Sequence, residues 1–215
     1  MKGKRGFSLC AAILLLAAGA GADDDGFSRS GFYLGVGATG AIHLFEDEVK
    51  NQSGGLAEVE DSAGLNARLG YRALSWLALE AQYEWVAGLD FVATQDLGPV
   101  AGKGDTLARL QSHTVTANLK LLLPIWRIQP YLLAGIGGSY YDIDNKTGFL
   151  GARGDEWAFA GRVGVGGDLY LTKNLLAFLE VSGVLTTLDI TAPTATGSLT
   201  GLYYLSTQLG LQYRF

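Results

Sequence analysis

The chain offers few residues whose types and spacing could support catalysis or bind a metal ion. His43 and His113 are its two histidines, and neither lies in a Cys/His cluster with metal-ligand spacing. Ser112 precedes His113 and suggests a nucleophile with its base, but neighbours on a strand point to opposite faces. We therefore expect no catalytic dyad, no metal ion and no cofactor, and predict that the protein is not an enzyme.

Two further motifs match a chemical pattern only formally. Residues 35–40 read G-x-G-x-x-G, but the dinucleotide-binding motif requires a strand before it and a helix after it. Here the glycines lie inside a predicted strand, where they favour a curved sheet. Asp142, Asp144 and Asn145 look like part of a calcium loop, but the residues that follow break its spacing. We interpret that segment as a solvated loop.

Strict alternation of apolar and polar residues is the dominant pattern and predicts strands. In residues 77–86, apolar and aromatic side chains alternate with Ala78, Glu80, Gln82 and Glu84. The pattern is clear in 65–72, 77–86, 113–122, 157–169 and 203–215, and weaker, with glycine interruptions, in 32–40, 130–141 and 175–185. The connections between them alternate in length, and the long ones are about 45–63, 88–108, 143–155 and 186–200. An antiparallel meander whose two ends face different compartments produces this arrangement.

The polar faces of these strands carry charges of both signs in nearly equal number. An eight-stranded barrel has an interior just wide enough for side chains to fill. Charges of both signs can pair across such a lumen, and we expect removal of one partner to destabilise the barrel. The alternative is an ordinary solvated sheet face. The charges predicted to form a network in the lumen are Arg68, Arg72, Glu80, Glu84, Lys120, Arg162, Asp168, Glu180 and Arg214.

Aromatic residues on the apolar faces collect near both ends of the predicted strands, with smaller apolar residues between them. Aromatic rings gather at membrane–water interfaces, so two such girdles indicate a barrel whose apolar face meets lipid. A soluble barrel with the opposite orientation, which binds an apolar ligand inside, is the alternative. The predicted interface aromatics are Phe32, Tyr71, Trp76, Trp85, Trp126, Tyr140, Trp157, Tyr203 and Tyr213.

The first residues have the layout of a secretory signal peptide. Lys2, Lys4 and Arg5 precede an apolar stretch that ends in Ala-Gly-Ala at positions 20–22. We predict a signal peptide at 1–22 and a single barrel domain at 23–215. The one cysteine, Cys10, falls within the predicted signal peptide. The formal net charge of −5 argues against nucleic-acid binding.

Three segments resemble the small outer-membrane β-barrels of Gram-negative bacteria, the group of OmpA/OmpX-like and opacity-protein-like porin domains. They are GFYLGVGATG at 31–40, PYLLAGIGGSYYD at 130–142 and the closing LGLQYRF. The resemblance implies an all-β, eight-stranded, antiparallel up-and-down transmembrane barrel in the outer membrane, with its long loops outside the cell. It also implies that the terminal aromatic residue, Phe215, is a signal read by the barrel-assembly machinery. Further partners expected from it are outer-membrane lipid and lipopolysaccharide.

Several functions remain compatible with these patterns. The leading interpretation is a structural or surface-interaction barrel with a charge-filled lumen and long extracellular loops that meet a partner we cannot name. A narrow pore for ions or small solutes is the first alternative, although eight strands argue against an open channel. A lipid A-modifying enzyme is a further alternative, because some barrels of this kind use a histidine with a nearby serine.

Overall fold

Eight long antiparallel strands form one closed barrel, as the alternation predicts. The computed structural model describes residues 26–43, 57–59, 62–94, 96, 102–144, 156–187, 189–191, 198–200 and 203–215. The barrel strands are β1 (Gly31–His43), β2 (Ser62–Leu74), β3 (Leu77–Ala93), β4 (Thr106–Leu122), β5 (Ile128–Asp144), β6 (Glu156–Tyr170), β7 (Leu175–Thr186) and β8 (Tyr203–Arg214). Each pairs with its neighbour in sequence, and β1 pairs with β8. No helix in these ranges is long and apolar enough to cross a membrane. The predicted signal peptide lies outside them.

The strands are strongly staggered around the barrel. A ladder of paired residues that starts at Leu34 on β1 passes through every strand and ends at Tyr203 on β8. Tyr203 lies two residues before Leu205, which pairs with Ile42 on β1. The path around the barrel therefore returns to β1 near the opposite end of the strand from Leu34, where it began. Such a stagger accompanies strands that tilt against the barrel axis. Closure leaves no open edge on the eight-stranded wall.

The alternating side chains separate into an outward apolar set and an inward polar set. On β3, Leu79 is 57% exposed whereas Glu80 is 3% exposed. On β8, Leu209 is 61% exposed while its neighbour Gln208 is fully buried. The orientation is therefore the reverse of that in a soluble barrel, whose apolar face points inward.

Both boundaries of one predicted loop differ from the structure. We expected a loop over about 88–108, but β3 runs to Ala93 and β4 begins at Thr106. The pairing of β3 with β4 shifts register between Val86 and Leu89, and Gly88 within that interval has φ of 64°. A bulge of this kind reverses the alternation along a strand, so the pattern breaks although the strand continues.

Three short strands also lie within segments that we predicted as loops. Ala57–Val59 pairs with the end of β3, while Asp189–Thr191 pairs with Ser198–Thr200. Each has three residues, which is too short to give a recognisable alternation.

Small apolar clusters lie at both ends of the lumen. Near the ends of the strands that lead to the long connections, Ala41, Val86, Val184 and Tyr204 pack together. At the short-turn end, a second cluster contains Phe27, Tyr170, Leu176 and Phe178. The charged residues lie mainly between these two layers.

Candidate functional site

The centre of the lumen is organised around the guanidinium of Arg68. Its Nη1 lies 3.1 Å from a carboxylate oxygen of Glu180 and 3.9 Å from one of Glu80. Its Nη2 donates to the side-chain oxygen of Gln208 at 2.5 Å, and the guanidinium lies 3.8 Å from the ring centroid of Phe178. This one cation therefore connects β2 with β3, β7 and β8 across the barrel. Charge-assisted contacts of this kind are stronger than neutral hydrogen bonds.

Each carboxylate beside Arg68 also accepts a hydrogen bond from a tyrosine two strands away. The Tyr33 hydroxyl donates to Glu80 at 2.9 Å. Between them lies Gly70, which pairs with Tyr33 on one side and with Glu80 on the other. A Cβ added at Gly70 would lie 2.2 Å from the Tyr33 ring. Only glycine leaves room for that ring to lie across β2.

The same arrangement recurs four strands further around the barrel. Tyr131 donates to Glu180 at 2.9 Å across Gly166, which pairs with both residues. A Cβ at Gly166 would lie 2.4 Å from the Tyr131 ring. We call each set a tyrosine–glycine–glutamate ladder: Tyr33, Gly70 and Glu80 in the first, Tyr131, Gly166 and Glu180 in the second. These ladders give the two halves of the lumen a common design.

The lumen towards the long connections contains a second carboxylate centre at Glu84. Arg162 Nη2 lies 3.1 Å from Glu84 Oε2. The Tyr204 hydroxyl donates to Glu84 at 2.7 Å and the Ser206 hydroxyl at 2.8 Å, and the amide of Gln208 is a further donor. Because Gln208 also accepts from Arg68, it links the two carboxylate centres into one network.

Lys120 completes the network at the height of Glu80. Its ammonium lies 3.4 Å from Glu80 and 3.8 Å above the ring centroid of Tyr131. The ring of Tyr33 is also within cation–π distance, at 5.7 Å. A buried ammonium thus has one anion and two aromatic faces around it.

The short-turn end of the lumen is closed by the segment Gly26–Ser30, which we call the stopper. Phe27 in this segment is 6% exposed and packs edge-on against Tyr170 at a centroid distance of 5.4 Å. Its carbonyl accepts from Arg214 at 2.8 Å and from Arg72 at 3.4 Å. Arg214 also donates to the carbonyl of Gly26 at 2.8 Å. Two buried guanidiniums therefore attach the stopper to the barrel wall.

All nine charges of the predicted network lie inside the barrel, and each is 3% exposed or less. Six of them form ion pairs: Arg68, Glu80, Glu84, Lys120, Arg162 and Glu180. Within the described ranges, Arg72, Arg214 and Asp168 form no ion pair. At the short-turn end, backbone carbonyls and neutral side chains accept the arginine hydrogen bonds. Arg214 donates to Gly26, Phe27 and Tyr170, and Arg72 donates to Phe27, Tyr170, Gln129, Leu74 and Ser75.

Sequence reasoning from charges alone missed the neutral members of the network. Tyr33, Tyr131, Tyr204 and Gln208 all hydrogen-bond to its carboxylates. The alternation of apolar and polar residues could have identified them, because each falls on the inward face of its strand. Tyrosine is amphipathic, so its inward position there indicates a hydroxyl with a buried partner.

The predicted interface aromatics lie outside the lumen. At the short-turn end, Phe32 packs against Tyr71 at a centroid distance of 4.8 Å. At the other end, Tyr140 packs against Trp157, which is 76% exposed. None of the remaining members is buried: Trp76, Trp85, Trp126, Tyr203 and Tyr213. Phe215 is also exposed, at 66%, and its amide donates to the Phe32 carbonyl.

Ser112 and His113 point to opposite faces of β4, as the strand geometry predicts. Ser112 is 2% exposed in the lumen, whereas His113 lies outside and its Nδ1 is 2.8 Å from the Tyr83 hydroxyl. Within the described ranges, no cluster of three or more His, Cys, Asp or Glu side chains could hold a metal ion.

Known structures share this architecture at low sequence identity. Neisserial surface protein A is 13% identical, with a TM-score of 0.56, over 87% of this chain and 99% of its own. OprG of Pseudomonas aeruginosa is 16% identical, with a TM-score of 0.50, over 90% and 99% respectively. These likenesses show the fold alone. No curated protein sequence is significantly similar to the chain.

A family model identifies the chain more directly. The model described as the outer membrane protein beta-barrel domain matches residues 8–215. This match spans every strand described above and agrees with the outward apolar face of the barrel. The chain therefore belongs to the outer membrane β-barrel family of bacterial outer-membrane proteins.

Proposed function

We propose that this protein is a closed outer-membrane barrel with a structural and surface-interaction role, rather than a solute channel. The proposal rests on one observation: the side chain of Arg68 crosses the lumen. Its contacts with Glu80, Glu180 and Gln208 fill the middle of the barrel. Eight strands leave just enough room for side chains, so a packed cross-section of this kind opposes a permanent water path.

Planar-bilayer conductance of the refolded protein tests the closed lumen. A heat-dependent shift in gel mobility, with a β-rich circular dichroism spectrum, would first show that the sample is folded. We expect the baseline current of the membrane to stay unchanged at several voltages. Stepwise openings at several voltages would overturn the closed barrel in favour of a narrow pore.

We further propose that the long connections interact with phosphate-bearing lipopolysaccharide through bridging divalent cations. The connection after β1 is acidic in sequence: Glu46, Asp47, Glu48, Glu58, Glu60 and Asp61. Carboxylates and phosphates are both hard oxygen ligands, which Mg²⁺ and Ca²⁺ can bridge. Lipopolysaccharide vesicles with Mg²⁺ should bind the wild-type protein more tightly than a variant carrying Gln and Asn at these positions. Equal binding with and without a chelator would contradict the cation bridge.

Two roles of individual residues also belong to this proposal. Ser112 and His113 lie on opposite faces of the wall, which argues against a dyad and supports a non-enzymatic protein. Unchanged lipid A mass spectra on overexpression would agree with that.

Phe215 is proposed as the signal for the assembly machinery: Phe215→Ala should reduce the folded fraction in cells while leaving refolding in detergent unchanged. Equal reduction in both settings would instead indicate a structural role.

A further inference from the structure

Below Lys120, the lumen contains a small polar cavity directly above the stopper. Its lining includes Asp168, Gln212 and Arg214, together with Tyr170. The cavity has a volume of about 10 Å³. A cavity of roughly this size holds about one water molecule.

Three buried polar atoms in the lining have no hydrogen-bond partner among the residues that the structure describes. They are Oδ1 of Asp168, Oε1 of Gln212 and Nε of Arg214. The three residues are 2%, 4% and 1% exposed, respectively. Leaving such atoms unpaired in a buried site is unfavourable, because they lose their hydrogen bonds to water without replacing them. Their presence around one cavity therefore points to a ligand that serves all three.

We propose that this cavity binds one ordered water molecule, which donates to Asp168 and Gln212 and accepts from Arg214. Two acceptors and one donor match the hydrogen-bonding capacity of water. Buried waters typically make about three such bonds. The occupant would thus serve each of these three buried atoms.

The surrounding charges exclude the competing occupants. Arg72, Arg214 and Lys120 all line the cavity, so a metal cation would meet three positive side chains and one carboxylate. An anion would meet the carboxylate of Asp168 and the oxygen of Gln212. Most donors of Arg72 and Arg214 are already engaged, those of Arg214 by the stopper and Tyr170 and those of Arg72 by Leu74, Ser75, Gln129, Phe27 and Tyr170. A neutral ligand of minimal size fits this environment.

A crystal structure of the wild-type protein, at a resolution that shows ordered water, tests the proposal. We expect one density peak within about 3.2 Å of all three atoms, the outer limit of an N–H···O hydrogen bond. Absence of the peak with the side chains in place would overturn the proposal. So would direct pairing of the Gln212 amide with Asp168, or a peak with short metal-like distances of about 2.3–2.6 Å.

The variant Gln212→Met keeps the volume of the side chain but removes its oxygen. Its structure should show the peak lost, or moved away from position 212. Gln82→Met, which changes an inward position on β3 outside the cavity lining, is the matched control and should keep the peak. A peak unchanged in Gln212→Met would show that Gln212 is not a ligand and would overturn the three-way bridge.

Discussion

The Tyr131 hydroxyl reaches over the backbone of β6 to donate a hydrogen bond to Glu180 on β7 at 2.9 Å. The path crosses Gly166, the residue that pairs with both of them. Tyr33 and Glu80 have the same relationship across Gly70. The absence of a side chain at these two glycines is therefore what lets an aromatic donor approach a carboxylate inside a narrow barrel.

We predict that Gly166→Ala destabilises the barrel by about 1–3 kcal/mol, the usual cost of overpacking a filled interior. The added Cβ would lie 2.4 Å from the Tyr131 ring, so the ring must move away from Glu180. Denaturant unfolding in detergent micelles measures the change in the free energy of unfolding. The neighbouring Gly167→Ala is the control, because a Cβ there would have no atom of the described residues within 4 Å. Equal effects of the two substitutions would contradict this account.

Replacing Arg68 should have a larger effect than either glycine variant. Arg68→Met leaves Glu180 and Glu80 buried with less compensating charge, and breaking a buried pair from one side costs about 3–5 kcal/mol. The double variant Arg68→Met/Glu180→Gln removes one orphaned charge as well. It should recover part of the lost free energy of unfolding. Additive losses in this double-mutant cycle would show that the two side chains do not couple.

The stopper should control access to the lower lumen. Ala78 lines the cavity above the stopper and is 1% exposed, so a cysteine placed there reports on entry from the short-turn end. We predict that Ala78→Cys in residues 23–215, which contain no other cysteine, reacts slowly with a charged thiol reagent. Adding Phe27→Ala should accelerate the reaction, because the stopper loses its packing against Tyr170.

Phe32→Ala is the control for this labelling experiment. Phe32 is 59% exposed on the outer face and does not contact the lumen cavity, so its loss should leave the labelling rate unchanged. Rapid labelling of Ala78→Cys without any other change would mean that the stopper does not seal the mouth.

The aromatic girdles should lie at the two membrane interfaces. In proteins that retain only Trp157 or only Trp76, the tryptophan fluorescence should be quenched most by lipids brominated near the headgroup. Leu209 is 61% exposed near the middle of β8. In a third protein, whose single tryptophan is introduced by Leu209→Trp, the fluorescence should be quenched most by bromines deep in the acyl chains. A lack of depth dependence among the three proteins would contradict the proposed orientation in the bilayer.

The sequence predicts the barrel well because two-residue alternation survives along most strands. It fails at Gly88, where a bulge interrupts the alternation although β3 continues to Ala93. The inward charges were also identifiable, but their partners were not. Pairing of Arg68 with Glu180 depends on the stagger of the whole barrel, which no local pattern reveals.

The attachments of Arg72 and Arg214 were harder to foresee. Both bind the carbonyl of Phe27, and a backbone acceptor leaves no signature in side-chain composition.

The long separation along the chain between Arg68 and its partners has a kinetic consequence. Glu180 lies 112 positions away and Gln208 lies 140 positions away, so these bonds form only when the first and last hairpins meet. Interactions absent from the transition state slow unfolding and leave the folding rate nearly unchanged. The closed barrel should therefore unfold slowly. Arg68→Met should shorten its lifetime in denaturant, while insertion into the membrane proceeds at the wild-type rate.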